Sequence, residues 1–344
     1  MIIHIFADTP HHYQPMQRFF STQCVVSCSQ QFWVRSNEPI SDSAFISYST
    51  LTELFILLGE LPHSAKVIFH GLFDTAIWQK LLFNPIITRS YCVIWGAELY
   101  RHQQRGLKAV VNRVLHGLLL HKMAGVFTLT PGDAQLVASL LKRKNAHVLP
   151  YPLIGLQLVE RQLNTLGTIK ILVGNSAAPS NEHFKAFSCL AHLATENIEI
   201  IVPLNYGGEA DYIAKTIKQG RAIFADKFKP ITDMLSKEDY DALLQQVSLT
   251  VFSQQRQQGL YVVYAMLLQG KPIFLNSTTT SFVNLASLGF EVGATEQLSS
   301  LSFAGLFTLL SKPNAVNQAL MQNHFTEQAL GPKWSAVLNE LSTL

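Results

Sequence analysis

Cysteine is scarce in this chain: Cys24, Cys28, Cys92 and Cys189 are the only four. Their spacing fits neither a zinc site nor a disulfide framework, so a reducing compartment is expected. No GxGxxG with a later acidic residue occurs, which argues against a nicotinamide dehydrogenase, and no Gly-rich loop ends in Lys-Ser/Thr, which argues against a P-loop enzyme. No apolar run reaches the roughly 20 residues that a membrane-spanning helix needs. Low-complexity tracts and internal repeats are also missing. Met1–Phe6 runs into a strand pattern without a basic n-region, so no signal peptide is expected. Acidic residues are missing from the whole stretch between Glu98 and Asp133.

That last gap shapes the charge distribution. The net charge is +3, yet residues 1–150 carry 13 Lys/Arg against 8 Asp/Glu, while the remainder carries 13 against 15. Arg101, Arg105, Lys108, Arg113 and Lys122 fall in the acid-free stretch, together with His102, His116 and His121. Leu107, Val110, Val111, Val114, Leu115, Leu118, Leu119 and Leu120 fall there at spacings compatible with a wide helical apolar face. A basic amphipathic helix over 101–122 is expected, of a kind that lies on an anionic membrane surface; the alternative is a core helix with a solvated basic face. Nucleic acid is disfavoured, since no recognition motif accompanies the patch.

At 344 residues, with 48% hydrophobic and 14% charged, the chain is long enough for two cores. The first half reads as successive strand–loop–helix units. Met1–Phe6 is a strand whose carboxyl end leads to a loop with His11 and His12; Lys66–His70 is a strand that delivers His70 and Gly71 to the same edge. Tyr91–Trp95 delivers Gly96 and Glu98. Histidine and carboxylate side chains at such an edge suit acid–base work, although Glu98 suits a helix cap equally well. Phe32–Val34, Gly125–Leu129 and His147–Leu149 complete this series.

A linker is expected over 154–167, after which the pattern restarts. Thr168–Val173 is a strand, Gly174-Asn175-Ser176 a tight loop, and Ser180 or Asn181 the cap of the following helix. Ile198–Val202 ends near Tyr206 and Gly207-Gly208; short strand character is expected over Ala222–Phe224, and a helix over Ser236–Gln246. Asp239-Tyr240-Asp241 looks like a metal-binding DxD but lies within helical periodicity, so no metal site is assigned to it. The densest signal is 251–276: a strand, a polar loop with Arg256, Gln257 and Gln258, a helix opening at Gly259, and a strand after Pro272. A helix N-terminus beside a cation is a seat for a diphosphate. Residues 316–344 read as closing helices broken at Pro332.

The expectation is an α/β protein with two doubly wound, Rossmann-like domains facing a cleft, the plan of a GT-B glycosyltransferase. The domains would cover 1–153 on the acceptor and membrane side and 168–315 on the nucleotide-sugar donor side. Six segments then become specific: DTPHH (8–12), FHGLF (69–73), IWGAELY (94–100), LVGNSAAPSNEH (172–183), IVPLNYG (201–207) and RQQGL (256–260). In this order they resemble the enterobacterial common antigen N-acetylfucosaminyltransferases of glycosyltransferase family 56. The family pattern differs by Gln at Leu72, Asn at Asp74, Asp at Glu98 and a more polar stretch at Ala177–Pro179.

The resemblance implies transfer of 4-acetamido-4,6-dideoxygalactose (Fuc4NAc) from a dTDP-sugar to an undecaprenyl-diphosphate-linked disaccharide (lipid II). It implies a peripheral enzyme at the cytoplasmic face of the inner membrane, without metal and without any cofactor beyond the dTDP-sugar substrate. Gly174, Asn175, Ser176, Arg256, Gln258 and Gly259 are then expected to hold the diphosphate, with Tyr206 as a base or ribose contact. Glu98 is expected to activate the acceptor hydroxyl, with His12 and His70 as the alternatives. Competing readings are a GT-B transferase with another nucleotide sugar and a polysaccharide acceptor, a nonhydrolysing nucleotide-sugar epimerase, and a non-catalytic nucleotide-sugar-binding protein.

Overall fold

The computed structural model describes residues 1–343 apart from 8, 39, 41, 101–105 and 156–166. The chain forms two compact units, the first made of Met1–Ile154 with Phe325–Leu344 and the second of Gly155–His324. Most of the expected linker therefore lies outside the described residues. The boundary after the second unit departs from expectation, because the closing helices do not form one segment.

In the first unit, β1 (Ile2–Phe6), β2 (Gln30–Arg35), β3 (Phe45–Tyr48), β4 (Lys66–His70), β5 (Ser90–Ile94), β6 (Gly125–Thr128) and β7 (Ala146–Val148) pair in the order β3-β2-β1-β4-β5-β6-β7. All these pairings are parallel. Parallel sheets need crossovers on both faces, and the central strands are buried on both sides for that reason: every residue of β1 and β5 is buried, His4 and Ser90 among them. The crossovers are α1 (Pro10–Thr22), α2 (Leu51–Gly59), α3 (Thr75–Leu82), the short α4 (Ala97–Tyr100), α5 (Leu107–Lys122) and α6 (Pro131–Leu140).

The second unit repeats the plan. Its strands β8 (Ile169–Val173), β9 (Ile198–Pro203), β10 (Phe228–Ile231), β11 (Leu249–Phe252), β12 (Ile273–Leu275) and β13 (Gly293–Ala294) run in the order β10-β9-β8-β11-β12-β13. Around them lie α7 (His183–Leu190), α8 (Ala210–Phe224), α9 (Lys237–Gln246), α10 (Leu260–Leu268), α11 (Thr280–Ser287), α12 (Phe303–Leu310) and α13 (Ala315–His324). Each sheet reverses its winding beside its first strand, between β1 and β4 and between β8 and β11. The crevice at that switch point, beyond the carboxyl ends of the strands, is where doubly wound sheets bind ligands.

Three sequence expectations need correction. His11 and His12 lie in the first turn of a helix, not in a loop: Pro10 occupies the N1 position that proline favours, and Pro15 is accommodated further inside. Ala222–Phe224 is the last turn of α8, and the strand follows at Phe228–Ile231 on the sheet edge, where Pro230 is tolerated. Pro332 lies within the final helix, α14 (Glu327–Thr343); the break comes earlier, where Leu153 N–H donates to the Phe325 carbonyl and Leu153 pairs with Thr326. The basic helix is described from Leu107 to Lys122, while Arg101 and Arg105 lie outside the described residues.

Candidate active site

In the second unit, two loops meet at the β8/β11 switch point. Asn175 N–H donates to Asn181 Oδ1 at 3.1 Å, and Asn181 Nδ2 returns a bond to the Ser176 carbonyl at 2.9 Å. Asn181 thus braces the loop from beneath and does not cap the next helix, nor does Ser180, whose hydroxyl donates to Gln258 Oε1 at 2.9 Å. Gln258 Nε2 donates to Asn175 Oδ1 at 3.3 Å, and Asn175 Nδ2 donates to the Tyr206 hydroxyl oxygen at 3.1 Å. One directed chain, Ser180 to Gln258 to Asn175 to Tyr206, therefore links three segments far apart in sequence. Gly174, Asn175, Ser176, Tyr206, Gln258 and Gly259 are brought to one place, and Arg256 stands half-buried in the same loop.

Glycine is required at two of these positions. Gly174 has φ +69°, and a Cβ there would lie 2.8 Å from His183 Nε2; Gly259 has φ +66°, with Asn175 Cγ 3.1 Å away. Side-chain caps close the N-termini of α2, α3, α6, α9, α11 and α12. None closes α7 or α10, which open at this switch point, as none closes α5 or α8. The first N–H groups of α10 and its positive dipole end are left for an anion. Ser253 Oγ, Gln254 Oε1 and Gln257 Oε1 are buried in the same loop without partners. Burial raises the Tyr206 pKa, so its phenol stays protonated at neutral pH and acts as an O–H donor, which suits a ribose or phosphate contact better than a base.

The DxD pattern is structural. Asp239 accepts the Ser236 hydroxyl at the start of α9, and Asp241 binds Lys237 and the Tyr261 hydroxyl, each at 2.6 Å. Among the described residues no group of three or more His, Cys, Asp and Glu is arranged to hold a metal ion.

In the first unit, the β1–β4 register pairs Phe6 with His70 and the β4–β5 register pairs His70 with Val93, so the three strands end together. Alternation along β1 and β4 places His4, Phe6 and His70 on one face, where their rings stack, with the His70 ring 4.2 Å from Phe6 and 5.2 Å from His4. Both His70 nitrogens are engaged, Nε2 with His4 Nδ1 at 2.9 Å and Nδ1 with the Tyr151 hydroxyl at 2.6 Å. Burial and the neighbouring His4 and His12 hold its pKa well below the usual histidine range. Glu98 is fully buried; Oε2 accepts Trp95 N–H at 3.2 Å and Oε1 accepts Leu72 N–H at 3.4 Å, which ties the ends of β4 and β5 together.

His12 is different. Its ring meets Trp95 edge-on at 4.2 Å and Tyr151 at 5.2 Å, but neither ring nitrogen has a hydrogen-bonding partner, and the same holds for Trp95 Nε1. A buried polar atom left unpaired costs about 1–3 kcal/mol. Burial and the adjacent His11 lower the His12 pKa to about 3, so the ring is neutral. Sequence reasoning missed His4, Gln30, Trp95 and Tyr151, which complete this cluster. The one available signal was the alternation that puts His4 two residues before Phe6; Tyr151 arrives from beyond β7 and only the three-dimensional path brings it here.

Solved structures share this architecture. Sucrose-phosphate synthase from Thermosynechococcus elongatus superposes with a TM-score of 0.71 at 12% identity, covering 100% of both chains. An α,α-trehalose-phosphate synthase (UDP-forming) from Burkholderia xenovorans, in complex with glucose-6-phosphate, gives 0.68 at 10% identity over 99% of this chain and 100% of its own. The Anabaena HepE protein, in complex with UDP and glucose, gives 0.63 at 12% identity over 99% and 100%. These likenesses establish the GT-B fold expected from the two strand series. The sequence itself, over residues 1–294, matches the family described as 4-α-L-fucosyltransferase, glycosyl transferase group 56. With that match extending across the loops at both switch points, the chain is a glycosyltransferase and belongs to group 56.

Proposed function

We propose that this glycosyltransferase moves Fuc4NAc from dTDP-Fuc4NAc to an undecaprenyl-diphosphate-linked disaccharide at the cytoplasmic face of the inner membrane. The observation that carries the donor half is the pair of loops at the β8/β11 switch point, locked together beside the uncapped N-terminus of α10. Gly174, Asn175, Ser176, Gln258 and Gly259 shape the diphosphate seat, Arg256 supplies the positive charge, and Tyr206 donates its O–H to the ribose or phosphate. Backbone N–H groups and a guanidinium aimed at the departing diphosphate offset its developing charge, so the reaction proceeds without a metal. The fucosyl transfer in the family description agrees with a 6-deoxyhexose donor.

The first unit takes the acceptor. Of the three sequence candidates there, Glu98 and His70 already spend their polar atoms on Leu72, Trp95, His4 and Tyr151, so His12 is assigned the contact to the acceptor hydroxyl. The membrane half rests on α5. Leu107 is 86% exposed, and Val110, Val111, Val114 and Leu118 are 50–55% exposed, while Ala109, His116, Leu119 and Leu120 face the core. An apolar stripe flanked by Lys108, Arg113 and Lys122, with no acid on the helix, suits an anionic lipid surface. Among the described residues no helix is long and apolar enough to cross a membrane.

Isothermal titration with dTDP and with UDP tests the donor assignment. Tighter binding of dTDP, weakened about 10- to 100-fold in Arg256→Ala, is the expected result. A preference for UDP would transfer the site to another nucleotide sugar, and unchanged binding by the variant would remove Arg256 from it. Transfer to the lipid-linked disaccharide, followed by product analysis, then tests the acceptor.

A further inference from the structure

The polar array beneath the first unit's switch point has one self-consistent set of proton positions. Gln30 Nε2 donates to the Phe20 carbonyl, so Gln30 Oε1 faces His4 and accepts its Nε2–H at 3.1 Å. The bare His4 Nδ1 accepts His70 Nε2–H, and the bare His70 Nδ1 accepts the Tyr151 O–H. Each neutral imidazole has one donor and one acceptor, so fixing the first fixes the rest. The Tyr151 hydrogen is committed inward, and its oxygen keeps a lone pair for something else. Trp95 Nε1 lies close enough to lower the Tyr151 pKa in part, without reaching hydrogen-bond geometry.

We infer that His12, Trp95 and Tyr151 form a hydroxyl-binding subsite for a saccharide, with the Gln30–His4–His70 array as its positioning base. Their rings adjoin one another edge-on, His12 at 4.2 Å from Trp95 and 5.2 Å from Tyr151, and Trp95 at 6.1 Å from Tyr151. The unmatched groups are two donors, Trp95 Nε1–H and the His12 N–H, and two acceptors, the bare His12 nitrogen and the Tyr151 oxygen. A hydroxyl donates and accepts at once, and a vicinal pair of ring hydroxyls satisfies all four. A diphosphate ester offers acceptors alone and leaves two protein acceptors facing it; a cation meets two N–H donors. Aromatic faces pack against the apolar C–H surface of a sugar ring. The ring of His12 is held neutral by burial, so it serves as a hydrogen-bond acceptor as it stands. This inference deepens the acceptor assignment above and rests on it.

The test uses full-length protein labelled with 15N-tryptophan, which gives four indole resonances; Trp95→Phe identifies one. Titration with N,N′-diacetylchitobiose, with and without dTDP, is expected to shift that resonance selectively. The shift should vanish in His12→Phe and return in His12→Gln, which restores one donor and one acceptor. In transfer assays, His12→Phe and Trp95→Phe should raise the acceptor KM 10- to 100-fold while dTDP affinity stays within twofold. A Trp95 resonance unmoved by saturating disaccharide overturns the subsite, as does an equal shift with inorganic phosphate or with dTDP alone. A wild-type protein that shows the shift but transfers no sugar would retain the subsite and refute the proposed reaction instead.

Discussion

At the scale of single residues, the loop from Gly174 to Ser176 depends on backbone freedom. Gly174 joins a left-handed φ to a contact with His183, which is itself buried and bonded to the Tyr212 hydroxyl at 3.0 Å. Gly174→Ala should lower stability by about 1–3 kcal/mol and weaken dTDP binding, checked by urea denaturation and titration. Gly59→Ala, at the exposed end of α2 with nothing within 4 Å of the added Cβ, should be neutral or stabilising by up to about 1 kcal/mol. Residue types that need special backbone or carry charge, Gly174, Arg256 and Gly259, were legible from the sequence. Trp95 and Tyr151 were not, because an aromatic residue after a strand carries no sign of whether its polar atom finds a partner.

Elements were more legible than their connections. Apolar runs such as MIIHIF and KVIFH announce buried strands, whereas α1 was hidden by its two prolines and β10 by Pro230 next to Lys229. Two predictions belong at this scale. Replacing Val110, Val114 and Leu118 by Glu should abolish binding to phosphatidylglycerol vesicles, measured by flotation, while denaturation midpoints stay within about 0.5 kcal/mol, since these side chains already face outward. The histidines on and beside the first sheet give the second. His4 and His12 are lowered to about 3, chiefly by burial, and His70 is lowered as well, against 6.5 in the unfolded chain. Below pH 6.5 the unfolded chain takes up protons that the fold refuses. The contribution of His4 and His12 is complete above pH 6.5 and is lost as pH falls towards 3, at about 1.4 kcal/mol per pH unit for each, and His70 acts in the same direction. Denaturation at pH 7 and pH 5 should therefore differ by several kcal/mol, and by roughly 2 kcal/mol less in His12→Phe.

For the whole molecule, the two doubly wound units were foreseeable from the restart of the strand pattern near residue 168, but the return of the last helix was not. A helix of mixed polarity carries no mark of which core it will join. In the structure, Trp334 is fully buried, stacks on Tyr151 at 5.8 Å, and donates its Nε1–H to the Pro150 carbonyl; Asn339 bonds both Ser27 N–H and the Val25 carbonyl. Trp334→Ala should cost about 3–5 kcal/mol, and deletion of residues 325–344 should expose the first unit to proteolysis while leaving 168–324 protected, as limited digestion with mass spectrometry would show.

The same arrangement sets a timetable for folding. During synthesis the second unit emerges complete as a continuous stretch of chain, free to close as soon as it appears. The first unit, although it is made first, has to hold an open groove for α14 until the second has been made. Its aromatic cluster is therefore assembled last, and the first unit matures only after the second has been finished.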